Sequence, residues 1–174
     1  MDVALVLDKL IPTAQYSGSL TANTQEAYEN LFWEDERAKP SWEDIENAWI
    51  TVAKSIKLDE LANARYEEEV SGYEYNGYTF HSDRESQSRL AFAAIQAEAN
   101  SAFTQNWKTK NGYCFMTAAD FVTLEAEFQS YLEDLYAKEQ SLAGQVDACT
   151  TIEEVEVIAW NSDESESATA TASE

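Results

Sequence analysis

The stretch from Gly72 to Gln87 constrains the fold more than any other part of the sequence. Two short aromatic segments flank the dipeptide Asn76-Gly77, which tolerates the positive φ angles of a two-residue type I′ turn and is a strong short-range hairpin signal. Directly afterwards, Ser82 and Glu85 have the spacing of a capping box, in which a hydroxyl and a carboxylate accept hydrogen bonds from backbone amides at a helix start. The sequence therefore predicts a hairpin that runs straight into a helix.

The same order of elements is predicted again farther along the chain. Residues 106–110 and 113–116 flank a second Asn-Gly pair at residues 111–112, and Thr117 with Asp120 is placed to begin the next helix. Two hairpins with aromatic faces can pair into one small antiparallel sheet packed by long helices. The predicted fold class is therefore α+β, mainly α, with strands and helices in separate layers.

Two long helices are predicted, over residues 42–70 and over 118 to about 146. The first stretch contains no Gly or Pro and follows Ser41, a good N-cap. Both carry apolar residues at intervals of three and four, which is typical of a helix with one apolar face or a coiled-coil seam. We expect these faces to contact a partner or a second copy of the chain. The predicted partner-binding residues are Trp42, Ile45, Trp49, Val52, Phe121, Leu124 and Phe128.

The remaining elements are predicted from apolar spacing and from caps. Residues 3–11 suit a short helix or a buried strand, and residues 28–33 suit a short strand. Residues 83–101 suit a helix whose broad, alanine-rich face includes Phe92 and Ile95. The predicted domain organisation is an N-terminal segment (1–41), a helix-hairpin-helix-hairpin-helix domain (42–160) that ends in a short helix capped by Thr151 and Glu154, and a disordered acidic tail (161–174).

The charge of the chain excludes several classes of partner. There are 33 acidic and 11 basic residues, and the formal net charge is −22. Such a field repels phosphate backbones and anionic lipid, so we expect no nucleic-acid partner and no membrane partner.

No apolar run approaches the roughly 20 residues that span a bilayer, and the N-terminus lacks the basic region of a secretory signal. The two cysteines, Cys114 and Cys149, have no metal-binding spacing and fit either a reducing compartment or indifference to redox, and Cys114 is predicted to be a core residue.

The sequence contains no convincing catalytic or metal-binding pattern. His81 is followed by Ser82 and Asp83, but adjacent strand residues point to opposite faces and cannot converge as a triad. One histidine with flexible carboxylates is a poor zinc site. Acidic runs such as Glu67–Glu69 are predicted to be solvated, and with 33 acidic residues a pair at glycosidase spacing carries no information. We therefore expect no catalytic residues, no metal and no cofactor.

The block from Leu58 to Trp160 resembles a family of domains of unknown function common in tailed bacteriophages and prophages, encoded beside tail-fibre genes or fused to tail-fibre-like proteins. The resemblance rests on residues 73–87, Trp107 to Gly112 and Thr150 to Val155. Residues 31–45 are similar to a segment at the ends of phage fibre and fibre-assembly proteins.

The resemblance implies a non-enzymatic protein associated with a phage tail fibre, in the host cytoplasm during assembly or in the virion tail. An assembly chaperone that binds the fibre protein is the first expectation, and a structural component of the tail or fibre is the alternative. An acidic DNA mimic that inhibits a host nuclease ranks third, because mimicry needs carboxylates at phosphate-like spacing on a folded face.

Overall fold

The structure is a computed structural model that describes residues 1–161. In chain order its elements are α1 (Val3–Leu10), β1 (Tyr16–Ser17), α2 (Gln25–Glu29), β2 (Phe32–Trp33), α3 (Trp42–Val70), β3 (Tyr73–Tyr75), β4 (Tyr78–Phe80), α4 (Arg84–Ala99), β5 (Thr104–Thr109), β6 (Gly112–Thr117), α5 (Ala118–Ala148) and α6 (Ile152–Glu156). Long helices dominate and the strands form two-stranded antiparallel sheets, which confirms the predicted α+β, mainly α class.

The chain divides into two compact units. The first comprises Met1–Asp59 and the stretch that begins at Gly144, and the second comprises Glu60–Ala143. These boundaries fall inside α3 and α5, so residues 1–41 share a unit with the first part of α3. Beyond its first residue, the predicted acidic tail (161–174) lies outside the described residues.

The core of the first unit is built by α1 and the first half of α3. The segment predicted as a helix or a buried strand is a helix, and Asp2 caps it by accepting a hydrogen bond from the amide of Leu5 at 3.0 Å. Val3 and Val6 on α1 are fully buried in the same cluster as Ile45 on α3. Apolar burial of this kind is the main stabilising contribution to such a unit.

The strand predicted over residues 28–33 is mostly wrong. Thr24 caps α2 by accepting from the amide of Ala27 at 3.2 Å, so Tyr28 lies in a helix and only Phe32–Trp33 is extended. The Tyr28 ring is buried and its hydroxyl donates to the carbonyl of Pro40 at 2.8 Å. Burial raises the pKa of Tyr28 to about 12, so its hydroxyl remains a donor to a higher pH than that of an exposed tyrosine.

The first hairpin has the turn that its sequence predicts. Tyr75 pairs with Tyr78, and both turn residues have positive φ, 49° at Asn76 and 79° at Gly77, as a type I′ turn requires.

The predicted N-cap of the following helix, α4, is wrong by one residue. Asp83 is the N-cap and accepts from the amide of Ser86 at 3.1 Å, because the Ser82 hydroxyl is buried and accepts instead from the amide of Gly72 at 2.9 Å.

The two hairpins do not merge into the single sheet that was predicted. β3–β4 and β5–β6 are separate two-stranded sheets, joined by one backbone hydrogen bond from Lys110 to the carbonyl of Thr79 at 2.8 Å. The Asn111 side chain accepts from the amide of Thr79 at 3.0 Å. β4 ends at Phe80, because the chain enters α4 four residues later, at Arg84. β4 is therefore too short to pair with β5 along its length. The second turn is Lys110-Asn111, one residue earlier than predicted, since Thr109 pairs with Gly112.

The helices α4 and α5 pack the second core. Phe121, Leu124 and Phe128 on α5 are at most 3% exposed, and Thr117 and Asp120 form the predicted cap, with the Thr117 amide donating to Asp120 Oδ2 at 2.8 Å. On α4 the buried stripe is narrow and consists of Leu90, Ala93, Ala94 and Ala97. The broader predicted face is wrong, because Phe92 and Ile95 are exposed.

Within residues 1–161, no helix combines the length and apolar character needed to cross a membrane.

Candidate protein-binding surface

The residues predicted to bind a partner are divided between the two cores. Ile45 and Val52 are buried in the first unit, and the two tryptophans of α3 are half-buried against them. Phe121, Leu124 and Phe128 are buried in the second unit. The structure therefore uses these side chains for its own packing and does not bring them together on a surface. The residues concerned are Trp42, Ile45, Trp49, Val52, Phe121, Leu124 and Phe128. Their role in binding a partner stays a prediction.

The side chains that could act as nucleophiles or metal ligands can be located in the part of the chain that the structure describes. No group of three or more His, Cys, Asp or Glu there is placed to hold a metal ion. Cys114 is buried as predicted, and burial raises the pKa of its thiol. A thiol that stays protonated is a weak nucleophile. His81 is exposed, directly before the start of α4.

Four large apolar side chains of the second unit are more than half exposed. On α4 they are Phe92 (61%) and Ile95 (62%), and on β6 they are Phe115 (64%) and Tyr113 (68%). The pattern on β6 follows from strand geometry, because successive side chains point to opposite faces and Cys114 occupies the core face. Where such side chains form a contiguous patch, they mark sites at which another protein binds.

A groove lies between α4 and β5. One cavity of about 420 Å³ is lined by Phe92 and Gln96, and another of about 270 Å³ is lined by His81 and Lys108. The two cavities adjoin, since both are lined by the three residues Glu85, Arg89 and Trp107. The groove therefore follows α4 from its first turn to its last, with β5 as the opposite wall.

The groove lies in the least acidic part of a very acidic chain. Residues 75–119, about a quarter of the sequence, contain three of the 33 acidic residues and four of the 11 basic ones. The guanidinium of Arg89 lies 5.5 Å from the centroid of the Trp107 ring, and within residues 1–161 neither Arg89 nor Lys108 makes an ion pair. Asp83 is occupied as the helix cap, and its hydrogen bonds from Ser86 lower the pKa of its carboxyl. The groove thus has two cations that make no ion pair within residues 1–161, an aromatic wall at Trp107, and the carboxylate of Glu85 beside both cavities.

A buried ionic network fixes the start of α4. Arg65 donates to Glu69 and, at 2.7 Å, to Glu139, and Gln87 donates to Glu69 at 3.0 Å and to the carbonyl of Ser82 at 2.8 Å. Glu69 is only 2% exposed, so the prediction that the Glu67–Glu69 run is solvated is wrong for its last member. The ion pairs join α3 to α5, and the hydrogen bond from Gln87 to Glu69 joins α4 to them, which holds one wall of the groove in place.

Sequence reasoning missed Arg89, Trp107 and Lys108 as a possible site. Trp107 and Lys108 lie in a segment that carries the family resemblance, but that resemblance assigns no role to them, and Arg89 meets them only through the packing of β5 against α4. The signal in the sequence is the local charge balance of residues 75–119, which stands out against a net charge of −22.

Comparison with known proteins assigns the chain to a family at the level of the domain. The family model described as Domain of unknown function (DUF4376) matches residues 52–159, which is more than half of the chain and includes both hairpins and the groove. No curated protein and no solved structure matches the chain.

Proposed function

We propose that the chain, which belongs to the DUF4376 family, is a non-enzymatic protein that binds a phage tail fibre and acts as its assembly chaperone. The phage context rests on the resemblance of residues 58–160 and 31–45 to proteins encoded with tail fibres. The observation that carries the binding function is the exposure of four large apolar side chains of the second unit, two on α4 (Phe92 and Ile95) and two on β6 (Tyr113 and Phe115).

The physical demands on such a chaperone agree with the properties of this chain. A fibre subunit that has not yet assembled exposes apolar surface, and a chaperone must cover that surface without joining the assembly itself. Exposed aromatic side chains supply the contact, since aromatic residues contribute strongly to interfaces. The net charge of −22 keeps copies of the protein apart and the complex soluble. The proposed location is the host cytoplasm during assembly.

The alternative is that the protein remains in the virion as a structural component of the tail or fibre. Mass spectrometry of purified virions distinguishes the two: a chaperone is absent, and a structural component is present at the copy number of the fibre. The DNA-mimic function has less support, because the groove presents the unpaired cations Arg89 and Lys108.

Co-expression with the neighbouring fibre gene tests the chaperone function. We expect the wild-type protein to raise the soluble fraction of the fibre, and Phe92→Ser or Phe115→Ser to lose most of that effect. Phe32→Ser is the matched control, because Phe32 is 69% exposed but belongs to the first unit. If the fibre is equally soluble without the protein, the proposed function is wrong. If all three variants lose the effect equally, the assignment of the surface is wrong.

A further inference from the structure

We propose that β5 binds one extended peptide segment by strand addition along its open edge, and that this segment carries acidic side chains alternating with apolar ones. The inference rests on the proposed function and names the chemistry of the segment that the protein would bind. It follows from the backbone of β5, from the groove beside it and from the local charge.

The register of the second hairpin leaves one edge of β5 unpaired. The two-residue turn at Lys110-Asn111 makes Thr109 and Gly112 a hydrogen-bonded pair, and in an antiparallel ladder such pairs alternate with non-hydrogen-bonded pairs. Trp107 therefore bonds to β6, whereas the N–H and C=O groups of Asn106 and Lys108 point away from it. Within residues 1–161, neither of these two residues makes a backbone hydrogen bond to any other segment.

The neighbouring hairpin makes one backbone hydrogen bond just past the end of β5. The amide of the turn residue Lys110 donates to the carbonyl of Thr79 on β4 at 2.8 Å. Past that bond the chain of β4 turns into α4, and His81 and Lys108 become opposite walls of the cavity of about 270 Å³. The position that a continuing β4 would occupy is thus left as the groove. An added strand would extend the pairing that Thr79 begins, which is the general mode of peptide binding at sheet edges.

The walls of the groove determine which side chains an added strand can carry. Alternate residues of a strand point to opposite faces, so every second side chain would face α4, where Phe92 and Ala93 supply apolar contact. Arg89 and Lys108 supply positive charge and make no ion pair among the described residues, although Glu85, which lines both cavities, carries the opposite charge. Arginine binds carboxylates with two parallel hydrogen bonds, which favours an acidic segment. Outside this region the chain would repel the same segment, because nearly all of its acidic residues lie there.

A second copy of the chain is a poorer occupant of this edge. Two copies would bring net charges of −22 together, whereas a short acidic segment carries only a few charges and meets them with Arg89 and Lys108. A single lysine on an edge strand can also serve only to discourage unwanted pairing. Both readings are outcomes of the test below.

The test is a selection of peptides from a display library of random nine-residue sequences on the immobilised full-length protein. We expect the enriched peptides to alternate apolar residues with Asp or Glu. Asn106→Pro removes the outward amide without disturbing the bonds to β6, since proline is tolerated where its nitrogen faces away from the ladder. The affinity of the enriched peptides should fall at least tenfold for Asn106→Pro and stay unchanged for the control Asn106→Ser. N-methylation of alternate peptide residues should also cause at least a tenfold loss.

A second variant keeps the test decisive if Asn106→Pro does not fold, as judged by circular dichroism. Arg89→Glu should weaken binding of acidic peptides at least tenfold and leave the fold intact, because Arg89 is exposed. The proposal is overturned if no peptide is enriched, if the enriched peptides are basic, or if they bind both Asn106 variants equally. It is also overturned if the protein forms a dimer that Asn106→Pro abolishes. If acidic peptides bind β5 but the fibre is not solubilised on co-expression, strand addition stands and the chaperone function fails.

Discussion

Replacing Arg65 by methionine removes the cation of the network that holds the start of α4. Arg65 lies between Glu69 and Glu139, and its side chain is 12% exposed. Methionine keeps most of the side-chain volume, so the change leaves little cavity and acts mainly on charge. Glu69 would remain buried with Gln87, 3.0 Å away, as its other donor.

The cost follows from leaving a buried charge without its counter-ion. Removing one partner of a buried ion pair destabilises a protein by about 3–5 kcal/mol. The guanidinium also lies 4.5 Å from the centroid of the Tyr136 ring, and loss of this cation–π contact adds roughly 0.5–1 kcal/mol. Glu139→Gln is the matched control: its side chain is 26% exposed, so we expect a loss of no more than about 1 kcal/mol.

Urea unfolding followed by far-ultraviolet circular dichroism measures these differences. The double variant Arg65→Met/Glu69→Leu should recover most of the stability that Arg65→Met loses, because an apolar pair can replace a buried ion pair at little cost. Equal destabilisation by Arg65→Met and Glu139→Gln would refute the reasoning, as would a double variant less stable than Arg65→Met alone.

Three further predictions concern the backbone, a helix cap and the apolar surface. Gly77→Ala should lower the free energy of unfolding, measured in urea, by about 1–2 kcal/mol, because φ is 79° there even though no atom lies within contact of an added Cβ. Gly144→Ala, on the open surface of α5, should instead raise it by about 0.5–1 kcal/mol. Asp83→Ala should cost about 1 kcal/mol at neutral pH. Since the folded-state pKa of Asp83 is lowered, its contribution is present above the unfolded-state pKa and is lost as the pH falls through the folded-state value, so acid titration of both proteins should show the difference shrinking. Phe128→Ala should cost about 3–5 kcal/mol, and Phe115→Ala, at 64% exposure, no more than about 0.5 kcal/mol by the same assay.

The sequence predicted correctly those helices and turns whose local pattern is compatible with only one structure. Asn76-Gly77 forms the expected type I′ turn because few other pairs accept two positive φ angles, and α3 spans the stretch from Trp42 to Val70 that lacks Gly and Pro. The cap of α4 shows the limit of such reasoning. Ser82 and Asp83 are both good N-cap residues. Asp83 is the N-cap because the Ser82 hydroxyl already accepts a hydrogen bond from the amide of Gly72, ten residues away.

The groove could not be predicted from the sequence, because it depends on how far two hairpins run side by side. Their pairing ends after the single backbone bond between Lys110 and Thr79, which no local pattern specifies. The exposure of Phe92 depends in the same way on which stripe of α4 packs inward. The low acidic content of residues 75–119 can be counted from the sequence. It indicates a binding site only when the structure places Arg89 and Lys108 at the same groove.

Amide hydrogen exchange along β5 tests the central claim most directly. In the protein alone, the amides of Asn106 and Lys108 should exchange quickly, and those of Trp107 and Thr109, which bond to β6, should exchange slowly. On saturation with an enriched acidic peptide, exchange at Asn106 and Lys108 should slow at least tenfold while Trp107 and Thr109 stay as they were. Unchanged exchange at Asn106 and Lys108 in the saturated complex would contradict the account.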